Sequence, residues 1–275
     1  MIAKGENPGE SAMSAARILA YGVLGLPLAF AALPIYAHIP HYYAAVAGMS
    51  LSTLGAILLA TRLLDAGIDP CLGWLADRLP RRRMLMLALP VFGAGFVALL
   101  NPPAVQAGWW LAGALMLTYL GYSAASVAYQ AWGADIGATP QLRTRLTAAR
   151  EGFGLLGVML AAALPSLLAP QLEAGIARLA WILPPLLLGA ALVSLGYAPP
   201  APAATRPAES LWPSLRGVFG DAAFRRLLCV FIANGMAAAL PATLFLFFVA
   251  DVLQLGQASG ALLAVYFLVG ALSLP

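Results

Sequence analysis

Arg62, Asp65 and Asp69 stand in the otherwise apolar run 51–75. Spacings of three and four residues put them on one face of a helix, within an arc of about 60° at roughly 100° per residue. Each ionised group at bilayer depth costs roughly 2.5–3.5 kcal/mol on insertion scales, so a membrane helix holding three of them needs a compensating role. Two chemistries suit the set. Carboxylates one turn apart can share a small hard cation, and like charges so close compete to stay ionised, so a proton can take the cation's place. Pro70 leaves the carbonyl of Ala66, four residues back, without its helical donor, which offers a further oxygen. Alternatively Arg62 bridges both aspartates and clamps helix packing as a neutralised patch.

The rest of the chain has to hold such a cluster inside a membrane. Hydrophobic residues make up 62% and charged residues 9% of the 275 residues, against roughly 25% charged in soluble domains. Apolar runs recur that match or exceed the ~20 residues a helix needs to cross ~30 Å of hydrocarbon. The period-two alternation of an outer-membrane barrel is absent, so the fold class is an all-α polytopic membrane protein. Apolar segments fall at about 16–40, 50–75, 84–101, 108–134, 150–170, 178–198, 226–250 and 258–275. Cys71 and Cys229 are isolated and read as free thiols, with no disulfide framework or metal spacing.

Charge then sets the orientation. Lys4, Arg17, Arg78, Arg81, Arg82, Arg83, Arg143, Arg145, Arg150, Arg206, Arg216, Arg225 and Arg226 fall on one side of the spans, and only Arg178 on the other. Cytoplasmic loops carry the excess of Lys and Arg, so the N-terminus is expected to be cytoplasmic, in a bacterial-type inner membrane. The net charge of +4 therefore belongs to membrane flanks and is no nucleic-acid signature. The polar stretch 1–14 has no cleavage site behind a short apolar core, and the first helix is expected to serve as an uncleaved signal. Pro and Ala dominate the connection after the sixth segment. The expected division is a six-helix half at 1–198, a cytoplasmic linker at 199–224, and the start of a second half at 225–275. Because the chain stops inside an apolar segment, a C-terminally truncated sequence is expected.

The loop after the second helix reads Gly73-Trp-Leu-Ala-Asp77-Arg78-Leu-Pro80-Arg81-Arg82-Arg83. It resembles the G-x-L-A-D-R-x-G-R-R signature of the major facilitator superfamily, with Pro80 in place of the usual glycine. Just upstream, Arg62-Leu-Leu-Asp65-Ala66-Gly-Ile-Asp69-Pro70-Cys-Leu-Gly73-Trp74 is similar to the R-x-x-D-A-x-x-D-P-x-x-G-W motif of the glycoside–pentoside–hexuronide:cation symporters, the melibiose-carrier-like branch. Tyr21-Gly22, Tyr42-Tyr43, Tyr129-Gln-Ala-Trp132-Gly-Ala-Asp135 and Arg143-x-Arg145-Leu-x-x-x-Arg150-Glu151 also fit that branch.

The resemblance implies a major facilitator fold, here the first six-helix half plus two helices of the second. It implies a secondary active transporter, not an enzyme, that couples sodium or proton entry to symport of a sugar or sugar-like solute by alternating access. Asp65 and Asp69 are the implied ligands of the transported cation, and no other cofactor is expected. Gly73, Asp77, Arg78, Arg81 and Arg82 are implied to form a cytoplasmic gate, in which Gly73 allows close helix approach and the charged groups pair across helix ends. Arg150 matches a sugar-contacting arginine, and equally suits a cytoplasmic anchor.

Other polar and aromatic groups are candidates for the solute. Tyr119, Tyr122, Tyr129 and Trp132 give the fourth helix an aromatic character that suits a sugar ring, though such residues also serve as packing anchors. Arg62, Ser126 and Asn234 complete the candidates. Asn234 either faces the cavity or bonds a neighbouring helix. His38 and His41 flank Pro40 and read as interfacial residues, and Gly152, Gly154 and Gly157 as sites of tight packing. Asp135 and Glu151 are expected to join the arginines of the gate.

Departures from the branch widen the choice of solute. Its galactoside carriers hold acidic sugar ligands on the first and fourth helices, whereas 26–30 and 124–129 contain no carboxylate and Ser126 is the nearest polar group. An amphipathic, lipid-like solute is therefore an alternative. Proton-driven drug efflux is another, disfavoured because 108–134 hold no arginine and 150–164 no proline. A magnesium-dependent intramembrane prenyltransferase fits worse, since no second acidic motif accompanies Asp65 and Asp69. A monomer in the lipid bilayer is expected.

Overall fold

The computed structural model describes residues 13–46, 48–103, 106–170, 172–200 and 211–254, with the isolated positions 262, 265 and 269. Helix is the dominant structure of the described residues, and no strand occurs among them. Six helices among them are long and apolar enough to cross a membrane: Ala15–Tyr36, Leu51–Ala76, Arg81–Leu99, Ala107–Ile136, Pro140–Pro165 and Ala174–Tyr197. The helix expected at 226–250 is present, and the one at 258–275 lies outside the described residues apart from the isolated positions.

The first span is jointed. It comprises α1 (Ala15–Gly22), α2 (Gly25–Leu33), a π-helical turn at Pro34–His38 and α3 (Ile39–Val46). Pro27, Pro34 and Pro40 each remove a backbone donor, which accounts for the interrupted ladder. Its two ends are tied to different neighbours. Near the start, the Tyr129 hydroxyl donates to the carbonyls of Tyr21 (2.7 Å) and Gly22 (3.2 Å), and Tyr21 returns a bond to the Tyr129 carbonyl at 3.1 Å. Near the end, Tyr42 and Tyr43 donate to the carbonyls of Leu100 (3.1 Å) and Leu99 (2.8 Å).

The second span is α4 (Leu51–Ala76), capped where the Ser50 hydroxyl accepts from the Thr53 amide. The third, α5 (Arg81–Leu99), packs on the fourth, α6 (Ala107–Ile136). Glycines set that distance. A Cβ at Gly95 would fall 2.6 Å from the Thr118 amide, and one at Gly121 would collide with the Phe92 backbone. The fifth helix, α7 (Pro140–Leu168), begins ten residues before the apolar run at 150. Thr139 accepts from the Leu142 amide and Pro140 occupies the first position, so capping chemistry starts it well outside the hydrophobic stretch. Gly157 lets α7 touch the Leu26 backbone, and Gly154 meets Ala29 at contact distance, while space beyond Gly152 is open. Of the three glycines expected to permit packing, Gly152 does not.

The sixth span divides at Trp181, ahead of Pro184 and Pro185, into α8 (Leu172–Ala180) and α9 (Leu183–Tyr197). The segment expected as a linker, 199–224, contains a further helix, α10 (Leu211–Gly220), followed by α11 (Ala222–Phe247). Trp132, Tyr21, Tyr43, Tyr129, Phe30, Phe92 and Phe96 are the largest fully enclosed side chains of the core. Leu59, Leu63, Leu87, Leu188 and Leu192 are exposed on the membrane-spanning helices.

Candidate functional site

The charged face of α4 points partly into the bundle. Asp65 is buried, Arg62 is half-buried and Asp69 is exposed. The Ser123 hydroxyl on α6 donates to Asp65 Oδ1 at 3.1 Å, and Arg62 Nη1 approaches Asp65 Oδ2 at 3.4 Å. Carboxylate, hydroxyl and guanidinium thus meet where α4 crosses α6, and Asp69 lies one turn along the same face.

Aromatic rings enclose the guanidinium. Arg62 Cζ lies 4.1 Å from the Tyr119 ring centre and 4.7 Å from that of Tyr36. A cation over an aromatic face gains roughly 0.5–2 kcal/mol, depending on how dry the contact is. A small cleft opens beside it, lined by Ala32, Ile35, Tyr36, Arg62, Tyr119 and Tyr122. Arg62 Nη2 is buried beside the cleft, with no close hydrogen-bond partner among the described residues. The Tyr122 hydroxyl and Ser126 are within hydrogen-bonding reach of one another.

Sequence reasoning overlooked two members of this cluster. Ser123, not Ser126, holds Asp65; Tyr119, Tyr122, Ser123 and Ser126 recur at the i, i+3, i+4, i+7 spacing of one helix face, so the pattern was available. Tyr36 belongs to the π-helical turn of the first span, and nothing local to it signals a contact with Arg62.

Several other candidates sit elsewhere. Tyr129 and Trp132 are buried at the arginine-rich end and are not part of the cleft. The Tyr129 hydroxyl is committed to the first span, and the Trp132 indole donates to the Pro199 carbonyl at 2.9 Å. Arg150 gives both Nε (3.1 Å) and Nη2 (2.6 Å) to Glu151, while its stem lies against Gly25. Asn234 is exposed on α11, with no bond to the cleft among the described residues. His38 lies in the π-helical turn, and the His41 side chain is outside the described residues.

The arginine-rich end forms a second network. Arg81 Nε meets Asp135 Oδ2 at 2.9 Å, its Nη2 approaches Asp77 Oδ1 at 3.4 Å, and Nη1 donates to the Ala76 carbonyl. One guanidinium therefore fastens α4, α5 and α6. Arg78 stacks on Trp74 at 3.4 Å, and Arg82 lies 5.6 Å from the Trp132 ring centre while donating to the Ala198 carbonyl at 2.8 Å. Arg143 Nε caps the end of α6 at the Gly137 carbonyl, 2.7 Å away. Gly73 differs from expectation: a Cβ there meets nothing within 4 Å, so no close helix approach depends on it in this structure.

A membrane-spanning bundle with one charged, aromatic-rimmed cleft and one arginine-clasped end has the parts of a carrier. A family model described as MFS/sugar transport protein matches residues 18–275, which takes in all six spans but for the first three residues of the first. The chain is accordingly an integral membrane protein that belongs to the MFS/sugar transport protein family, carriers of sugar-like solutes within the major facilitator superfamily.

Proposed function

We propose that the chain is a cation-coupled symporter of a sugar or sugar-like solute, oriented with its arginine-rich end in the cytoplasm of a bacterial-type inner membrane. One observation carries the reading: two carboxylates and one guanidinium share the face of α4 at membrane depth, and Asp65 is buried. Arg62 offsets one of the two negative charges. The one that remains matches a single monovalent ion, sodium or a proton, better than a divalent one.

In this reading the cation enters between Asp65 and Asp69, where carboxylate oxygens and the Ser123 hydroxyl supply hard ligands. The solute occupies the cleft at Tyr36, Tyr119 and Tyr122, with Arg62 between the two sites as donor to both. Arg81, holding Asp77 and Asp135, closes the cytoplasmic side until the second half of the carrier rocks. Cation and solute then favour one another by a coupling of typically 1–3 kcal/mol, or about 5–150-fold in affinity.

The test is uptake into proteoliposomes of radiolabelled monosaccharides and glycosides under imposed sodium or proton gradients. Asp69→Asn should abolish cation-stimulated uptake while membrane insertion is kept. Cation stimulation unchanged in that protein would remove the coupling assignment.

The Arg62–Asp65 contact favours a second reading, in which the charges only clamp helix packing. A clamp predicts that the neutral pair Arg62→Gln with Asp65→Asn restores full cation-stimulated uptake. Coupling predicts that uptake, if any, stays indifferent to the ion.

A further inference from the structure

The segment between the sixth span and α11 holds a helix whose role the transport cycle leaves open. In α10, Leu211, Trp212, Leu215, Val218 and Phe219 recur at i, i+1, i+4, i+7 and i+8, which gathers them in an arc of about 120°. Arg216 falls about 40° beyond one edge of that arc, and Gly217 falls opposite its centre. Val218 and Phe219 are exposed, and so is Arg216.

The corner into α11 is firmly made. Arg225 Nη1 donates to the last carbonyls of α10, Phe219 at 2.9 Å and Gly220 at 2.8 Å. Asp221 Oδ1 accepts from the Ala223 amide at 2.8 Å, and Phe219 packs edge-on against Phe224 at 5.7 Å. Immediately beyond, α11 becomes an apolar helix of 26 residues whose exposed side chains include Leu227, Val230, Phe231 and Ile232. The sequence places a seventh span at 226–250, within and just beyond α11, and with α11 in the bilayer α10, one residue before it, stands at the membrane boundary.

We propose that α10 is an interfacial helix that docks on the anionic leaflet facing the arginine-rich end. Its apolar arc enters the boundary between headgroups and acyl chains. Arg216 and the neighbouring Arg226, both exposed, meet lipid phosphates. An apolar face flanked by arginines at the depth of the headgroups fits a negatively charged lipid surface.

The test uses the full chain with Cys71 and Cys229 replaced by serine, in nanodiscs of phosphatidylcholine with or without phosphatidylglycerol. A bimane label is placed through Val218→Cys on the apolar arc, or through Gly217→Cys opposite, where a Cβ meets nothing within 4 Å. With phosphatidylglycerol present, brominated lipid should quench the Val218→Cys label several-fold more than the Gly217→Cys label, and aqueous iodide should show the reverse order. Arg216→Gln should weaken the dependence on phosphatidylglycerol, as should raised salt. Equal quenching at both positions would overturn the proposal, as would a Val218→Cys label shielded from lipid and iodide alike, which would mean that protein covers the face. Lipid quenching indifferent to phosphatidylglycerol would overturn its anionic part.

Discussion

The superfamily motif draws the eye to Asp77, yet the geometry makes Asp135 the stronger partner of Arg81. Arg81 Nε and Asp135 Oδ2 are 2.9 Å apart, with the Asp135 side chain 33% exposed, whereas the Asp77 contact is 3.4 Å and that carboxylate is 58% exposed. A charge-assisted hydrogen bond is worth about 1.5–3 kcal/mol, which partial exposure reduces here to about 1–2 kcal/mol. An exposed, longer pair contributes about 0–1 kcal/mol. Asp135→Asn should therefore shift the balance between closed and open at this end by about 5–30-fold, and Asp77→Asn by no more than about fivefold. The measurement is the rate at which a membrane-impermeant maleimide, added on the arginine-rich side, modifies a Ser126→Cys probe in a protein lacking Cys71 and Cys229. Both carboxamide variants are compared in that background. A larger rate increase for Asp77→Asn, or equal increases for the two, would refute the assignment of Asp135 as the dominant partner.

Other predictions concern packing and the cleft. Gly121→Ala must push a Cβ into the Phe92 backbone and should cost about 1–3 kcal/mol, seen as a lower melting temperature in detergent, whereas Gly152→Ala should stay within about 0.5 kcal/mol. Tyr129→Phe deletes the donor to the Tyr21 and Gly22 carbonyls; at about 0.6 kcal/mol per interhelical bond it should cost about 1 kcal/mol in the same melting assay. Arg62→Lys keeps the charge but loses the planar group stacked on Tyr119 and Tyr36, so solute KM should rise while expression is kept. An unchanged KM would show that the stacked plane does not shape the solute site.

Much of the fold was legible because membrane insertion obeys one-dimensional rules. Length and apolarity locate the six spans, and the motif at 61–83 carries the resemblance that the family match bears out at the level of the superfamily. The start of α7 at Pro140 was missed because hydropathy marks where lipid begins, while capping by Thr139 marks where the helix begins. Within the cluster, Asp65 and Arg62 share a helix, and their contact follows from spacing. Tyr36 reaches Arg62 from another span, and sequence periodicity says nothing about which helices become neighbours. Tyr129 and Trp132 show the same limit from the other direction. Residue type alone did not reveal that their polar atoms were already committed to the carbonyls of Tyr21 and Pro199.

The jointed first span has a mechanical corollary. Its first end is hydrogen-bonded through Tyr21 and Tyr129 to α6, and its last end through Tyr42 and Tyr43 to the end of α5, so both ends are tied to neighbours. Between them lies the π-helical turn at Pro34–His38, and the Tyr36 ring on that turn packs against Arg62. A displaced guanidinium would therefore bear on a turn held from both sides, and the two pairs of tyrosines are where that push would be felt next.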